Sequence, residues 1–215
     1  MNWGWLRNNM GEIAVLLGQH ALLAVIPVLA ALAIALPLGY LVFRAGKGAN
    51  AVLAVLGVIY SIPSLALFVA LPVLLGTRIL DPVNVVVALT IYSVALLVRS
   101  VVDGLRSVPE DVKQSASAVG FSRFGRLVRV ELPLAMPVIF AGLRVVTVSN
   151  IALVTVAVLV ASGGLGQLFI RGYRSIFYTP LVAGLVLTVL LALVADGIIL
   201  LIQRGTLPWA RGRRA

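Results

Sequence analysis

Long apolar runs alternate with short polar breaks along this chain, and one polar stretch is far longer than the others. Apolar residues fill 21–43, 51–75, 83–98, 137–160 and 177–203. Each run is near the roughly 20 residues a helix needs to cross a bilayer. The third extends to 105 if Arg99 snorkels, its stem lying along the helix and its charge at the surface. Pro27 and Pro37 lie inside the first run, where neighbouring helices must cover the carbonyls they free. Ser61-Ile62-Pro63-Ser64 interrupts the second, and a kink is expected there because proline removes a helical hydrogen bond. Residues 1–20, with Trp3, Trp5, Arg7 and Glu12, suit an interfacial lead-in. They lack the basic start, short apolar core and small-residue cleavage site of a removable signal peptide. The pattern predicts an all-α integral membrane protein, one domain over 1–215 with about five spans.

The polar island runs through 107–133. Ser107-Val-Pro-Glu110 has capping-box spacing with an early proline, and Glu110 and Asp111 fall where the helix dipole favours acids. Val112, Ala116 and Val119 then form one apolar stripe, Gly120 is placed to end the helix, and Ser122 to cap a second through Val130. On that second helix Arg123, Arg126 and Arg129 share a side, with Phe121, Phe124 and Val128 opposite. Leu132-Pro133 and Pro137 punctuate the return to the membrane. The expected shape is a helix-turn-helix elbow at a membrane face. The residues alone fit both a segment resting on lipid headgroups and a docking element.

Composition fits the membrane reading: 61% of residues are hydrophobic, and mean hydropathy is +1.13. Net charge is +10, yet the aromatic residues lie in apolar runs rather than among the basic ones, which argues against nucleic acid. The charge instead reports orientation. Arg44, Lys47, Arg99, Arg106, Lys113, Arg123, Arg126, Arg129, Arg204, Arg211, Arg213 and Arg214 fall on one side, against Arg7, Arg78, Arg171 and Arg174 on the other. That bias puts the island and the C-terminus in the cytoplasm and the N-terminus outside.

Catalytic chemistry is not expected. There is no cysteine, and the single histidine, His20, is expected at headgroup level rather than as a metal ligand. Gly46-Lys47-Gly48 lacks the spacing and hydroxyl of a nucleotide loop, and Ser162-Gly-Gly-Leu-Gly166 reads as a turn. Asp196 is the only acid inside a span, and pairing with Arg144 on a neighbouring helix is the preferred reading over an ion-coupling role. Tyr60, Ser61, Ser64, Tyr92, Ser149 and Asn150 are the polar groups in spans that suit a cavity lining. Interfacial anchoring or hydrogen bonding to a helix carbonyl suits each of them too.

The island resembles the EAA loop of bacterial ABC importer permeases, whose pattern is Glu-Ala-Ala, three residues, Gly, nine residues, Ile-x-Leu-Pro. Gln114, Ser115 and Ala116 stand at its start, Gly120 at its glycine and Val130-Glu-Leu132-Pro133 at its end. The spacing is kept, while Gln114 and Ser115 depart from the acid and the first alanine. IYSIPSLAL (59–67), VELPLAMPVIFAGLR (130–144) and ASGGLGQLFIRGYR (161–174) are similar to permeases of glycine betaine, carnitine and choline importers. Methionine-type permeases share the glycine-rich turn. The resemblance implies the type I ABC importer permease fold, in the bacterial inner membrane. It implies a coupling role for Gln114, Ser115, Ala116, Gly120, Phe121, Arg123, Arg126, Leu132 and Pro133. It also implies a dimeric ABC ATPase that binds ATP and Mg, so that this chain holds no cofactor or metal. The other partners implied are a second permease chain, identical or paralogous, an extracytoplasmic substrate-binding protein and membrane lipid. Import of another small solute such as an amino acid, an ion-coupled carrier and a membrane scaffold are the alternatives.

Overall fold

The computed structural model describes residues 1–160 and 163–209, and the described residues form helices without strands. Ala161, Ser162 and the basic tail with Arg211, Arg213 and Arg214 lie outside them. The elements are α1 (Trp3–Asn8), α2 (Met10–Arg44), α3 (Ala49–Ser61), α4 (Ser64–Leu75), α5 (Pro82–Arg106), α6 (Glu110–Ala118), α7 (Arg123–Arg126), α8 (Leu132–Ala157), α9 (Gly166–Arg174) and α10 (Tyr178–Thr206). Among the described residues four helical rods are long and apolar enough to cross a membrane, α2, α5, the rod Arg123–Ala157 and α10, and the bent pair α3–α4 makes a fifth if counted as one span.

Helix α5 is the centre, packed by α2 on one side and α8 on the other. The α2 seam is built from small residues, Ala31, Ala35 and Gly39, so its backbone approaches closely. A Cβ on Gly39 would lie 2.6 Å from the Val101 side chain. Gly142 of α8 has the same role, with the Ser100 hydroxyl 2.1 Å from where its Cβ would be. Gly39→Leu is therefore expected to cost about 1–3 kcal/mol by overpacking, read as a lower apparent Tm in detergent. Ser93 and Asn150 join α5 to α8 by a buried hydrogen bond, the Asn150 amide donating at 2.9 Å.

Several expectations need correction. The first helix is longer than the apolar run 21–43, extending from Met10 through both prolines. Leu16 and His20 continue its buried face past the point where apolar composition ends. Before it, α1 is capped by the Asn2 side chain, which accepts from the Trp5 amide at 3.0 Å, and Trp5 packs edge-on against Phe177. His20 is fully buried within the chain, so it makes no contact with lipid headgroups. Its Nδ1 accepts from the Leu165 amide at 3.1 Å and its Nε2 donates to the Ile151 carbonyl at 2.9 Å, so the neutral ring staples α2 to α8 and the glycine turn. Gly163 and Gly164 in that turn both have positive φ.

The second apolar run breaks where the kink is expected, at Ile62-Pro63, into two short helices meeting at 94°, a sharper bend than one proline alone imposes. Tyr92, buried on α5, donates its hydroxyl to the Ile62 carbonyl at 2.6 Å, serving an acceptor the break leaves open. The link holding Arg171 and Arg174 is helix α9, fixed to α2 by Arg171, which donates to Glu12 at 2.9 Å. That hydrogen bond raises the Arg171 guanidinium above its ordinary value, so the pair stays charged throughout the working pH range.

Candidate functional site

The elbow is α6, a tight turn and α7. Glu110 and Asp111 occupy the first turn of α6, but the expected capping box does not form. Ser107 donates instead to the Gly104 carbonyl at 2.8 Å, and Pro109 takes the cap position with no side-chain acceptor to offer. Lys113 holds α6 in place, pairing with Glu110 at 3.3 Å and lying 5.6 Å above the Phe43 ring of α2. At the far end Gly120, at φ +93°, closes the helix. The Phe121 amide donates to the Ala116 carbonyl and the Gly120 amide to that of Ser117, both at 3.1 Å. This doubly bonded terminus needs a left-handed residue, which is why glycine stands there.

Ser122 then caps α7, its Oγ accepting from the Gly125 amide at 3.1 Å. The second short helix does not stop at Val130 but runs on without a break into the following long helix. A wide π turn, Leu127–Glu131, carries α7 straight into α8 as one rod, Arg123–Ala157. The Leu132 amide reaches back to the Leu127 carbonyl, and Pro133 follows directly inside the continuous rod, where the wide turn accommodates its ring and its missing N–H. A movement imposed on α7 is thereby delivered to a membrane-crossing helix without an intervening loop.

Arg126 braces the elbow internally. It donates to Glu131 at 2.6 Å and to the Ser117 hydroxyl at 2.7 Å, joining α6 to the π turn; Glu131 is buried. Ala116 is buried, and Leu132 packs under the elbow with Leu105 and Val108. Val119, expected in the inward stripe of α6, is instead 80% exposed. With Phe121, Phe124 (74% exposed), Val128 and Arg129 it lines an open concavity of about 620 Å³ around Gly120 and Gly125. Of the coupling residues expected from sequence, Gly120 and Phe121 are on this surface, and Gln114, Ser115 and Arg123 are exposed beside it. Val119, Phe124, Val128 and Arg129 join it only in the fold, since the turn at Gly120 swings both helices to one side. A hollow of mixed lining, with Phe121, Phe124 and Val128 exposed and Arg129 in its wall, at the head of the rod Arg123–Ala157, suits insertion into another protein.

The cavity-lining candidates separate. Tyr92 and Asn150 are buried and bonded within the chain. Tyr60 is exposed and meets Tyr92 edge-on at 5.7 Å, and Ser61 is exposed but donates to the Val58 carbonyl at 2.7 Å. Ser64 and Ser149 are half-buried. Arg144 and Asp196 form a two-pronged pair between α8 and α10, at 2.6 and 2.7 Å. No cluster of metal-ligating side chains occurs among the described residues.

Residues 28–207 match the family model "Binding-protein-dependent transport system inner membrane component". Among characterised relatives, the chain is 32% identical over 206 residues to the glycine betaine/carnitine/choline transport system permease protein OpuCB of Bacillus subtilis, covering 95% of this chain and 93% of that one. It is 35% identical over 195 residues to the osmoprotectant import permease protein OsmW of Salmonella typhimurium, covering 89% and 90%. Among solved structures, the MetNI methionine ABC transporter in an inward-facing conformation aligns with a TM-score of 0.75 at 21% identity, over 92% of this chain and 97% of that one. An amino acid ABC transporter with histidines aligns at 0.76 with 15% identity, over 95% and 98%. The fold is that of type I ABC importer permeases.

Proposed function

Because the chain belongs to the family of binding-protein-dependent transport system inner membrane components, we propose that it is the permease subunit of an ATP-driven importer of quaternary-ammonium solutes. Glycine betaine, carnitine and choline are the candidates, taken from the name of the Bacillus subtilis relative, and the Salmonella relative's name gives the broader class, osmoprotectants. The coupling role rests on one observation: an exposed hollow carrying Phe121, Phe124 and Val128 at the head of an unbroken rod long and apolar enough to cross a membrane. In this reading a dimeric ATPase, which binds ATP and Mg, receives the hollow in a groove. This chain hydrolyses nothing. A second permease chain completes the path, and Tyr60, Ser61, Ser64 and Ser149 are the residues this chain offers to it.

The elbow and the end of α10 face the cytoplasm, and α1 and α9 face outward. The lysine and arginine bias supports this orientation. An ion-coupled carrier would need an acid available at mid-membrane, whereas Asp196 is bonded to Arg144. Proteoliposomes holding both permease chains and the ATPase, supplied with the binding protein, should take up radiolabelled glycine betaine, carnitine or choline only with ATP. Uptake that survives omission of the ATPase contradicts the reading.

A further inference from the structure

Helix α1 is fastened to the start of α10. The Asn2 amide donates to the Thr179 hydroxyl at 3.0 Å, and the Trp5 ring meets Phe177 edge-on at 5.8 Å. That start is where charge gives way to an apolar rod: Arg174 stands just before it, and from Phe177 to Ile202 the only charged residue is Asp196. Past Gly184 no residue of α10 is buried, and Leu185, Val186 and Leu190 turn their apolar side chains outward, as a bilayer requires. Helix α1 therefore lies at the edge of the hydrocarbon, a level fixed by its contacts with α10. Trp3 is 68% exposed there and suits that edge, where a ring can sit half in water.

Between α1, the first turns of α2 and α10 is an open hollow of about 450 Å³. Leu6, Ile13, Val186 and Leu187 stand in its walls, and Arg7 is the one charged side chain among the described residues that line it. Val186 and Leu187 come nine and ten residues after Phe177, about 14–15 Å along α10 at 1.5 Å per residue. The hollow thus runs from the edge into the hydrocarbon. Arg7 is exposed and has no hydrogen-bond or ion-pair partner among the described residues. Glu12, the nearest acid along the chain, is taken up by Arg171. An unpaired cation at the mouth, with apolar walls below it, fits an occupant that is anionic at one end and hydrocarbon at the other. At the edge of a bilayer a phospholipid presents those two parts in that order.

We propose that the hollow under α1 is a phospholipid site: an acyl chain lies against Ile13, Val186 and Leu187, the phosphate meets the Arg7 guanidinium, and an anionic headgroup is preferred. The test uses the complete transporter, stripped of lipid in mild detergent. It is titrated with phosphatidylglycerol or with zwitterionic phosphatidylcholine while native mass spectrometry counts the molecules bound. Arg7→Gln should weaken the tightest phosphatidylglycerol site about fivefold, the worth of one cation beside an anionic headgroup, and should lower its preference over phosphatidylcholine. Val186→Trp fills the hollow and should bind one phosphatidylglycerol fewer per copy of this chain. Both positions are exposed, so the apparent Tm of the lipid-free variants should stay within about 2 °C. Glycerol 3-phosphate, a headgroup without chains, should not compete. Unchanged phosphatidylglycerol binding in either variant overturns the assignment, and competition by glycerol 3-phosphate does so too. Dissociation of the permease pair in Val186→Trp would give the hollow to the second chain and overturn it equally.

Discussion

Replacing Gly120 with tryptophan is expected to leave the permease in the membrane but to strip it of its ATPase, with affinity falling about 100-fold or more, the range of a buried interface anchor. A Cβ at Gly120 meets nothing within 4 Å, so the new side chain projects into the hollow rather than into the protein's own interior. At φ +93° any L-residue also strains the turn, by about 1–3 kcal/mol. Gly120→Asn separates the two causes. Asparagine tolerates the left-handed region better than most residues and is small, so this variant should keep most of its ATPase during co-purification. If both variants lose the ATPase equally, the turn's shape matters and the hollow does not. If tryptophan leaves co-purification unchanged, the partner does not sit here.

The second large effect concerns Arg144 and Asp196. Arg144→Asp or Asp196→Arg alone places two like charges side by side within the apolar rods, and assembled protein in the membrane should fall about tenfold or more. The double variant exchanges the charges and should recover most of the loss. In the single chain the two side chains are 37% and 28% exposed, a surface that a second permease chain or the path itself must cover, because hydrocarbon would not. Quantifying membrane-inserted protein for the three variants decides it: failure of the double exchange to rescue removes the pair as a structural tie.

What could be read from the chain before its structure follows the range of the interactions involved. Apolar runs and turn chemistry are local, so the stretches forming α5 and α10 and the closing role of Gly120 were visible as residue patterns. His20 was not. Its partners, Ile151 and Leu165, lie 131 and 145 residues away, and a lone polar residue where an apolar run begins looks like a headgroup contact. Pro133 misled in the other direction, since a proline after a polar stretch suggests an interruption, yet directly after the π turn it sits inside an unbroken rod. The hollow was half visible: Phe121, Phe124 and Val128 share a helix face by spacing. Val119 joins them only through the reversal at Gly120.

A single engineered cysteine tests most directly whether the elbow receives force from another subunit. The natural chain has none, so Phe124→Cys gives one thiol, on a side chain that is largely exposed in the hollow. In the assembled transporter a short thiol cross-linker should join it to the ATPase, and in intact cells a membrane-impermeant maleimide should leave it unlabelled. Labelling from outside, or no cross-link in a transporter that still imports, would contradict the account.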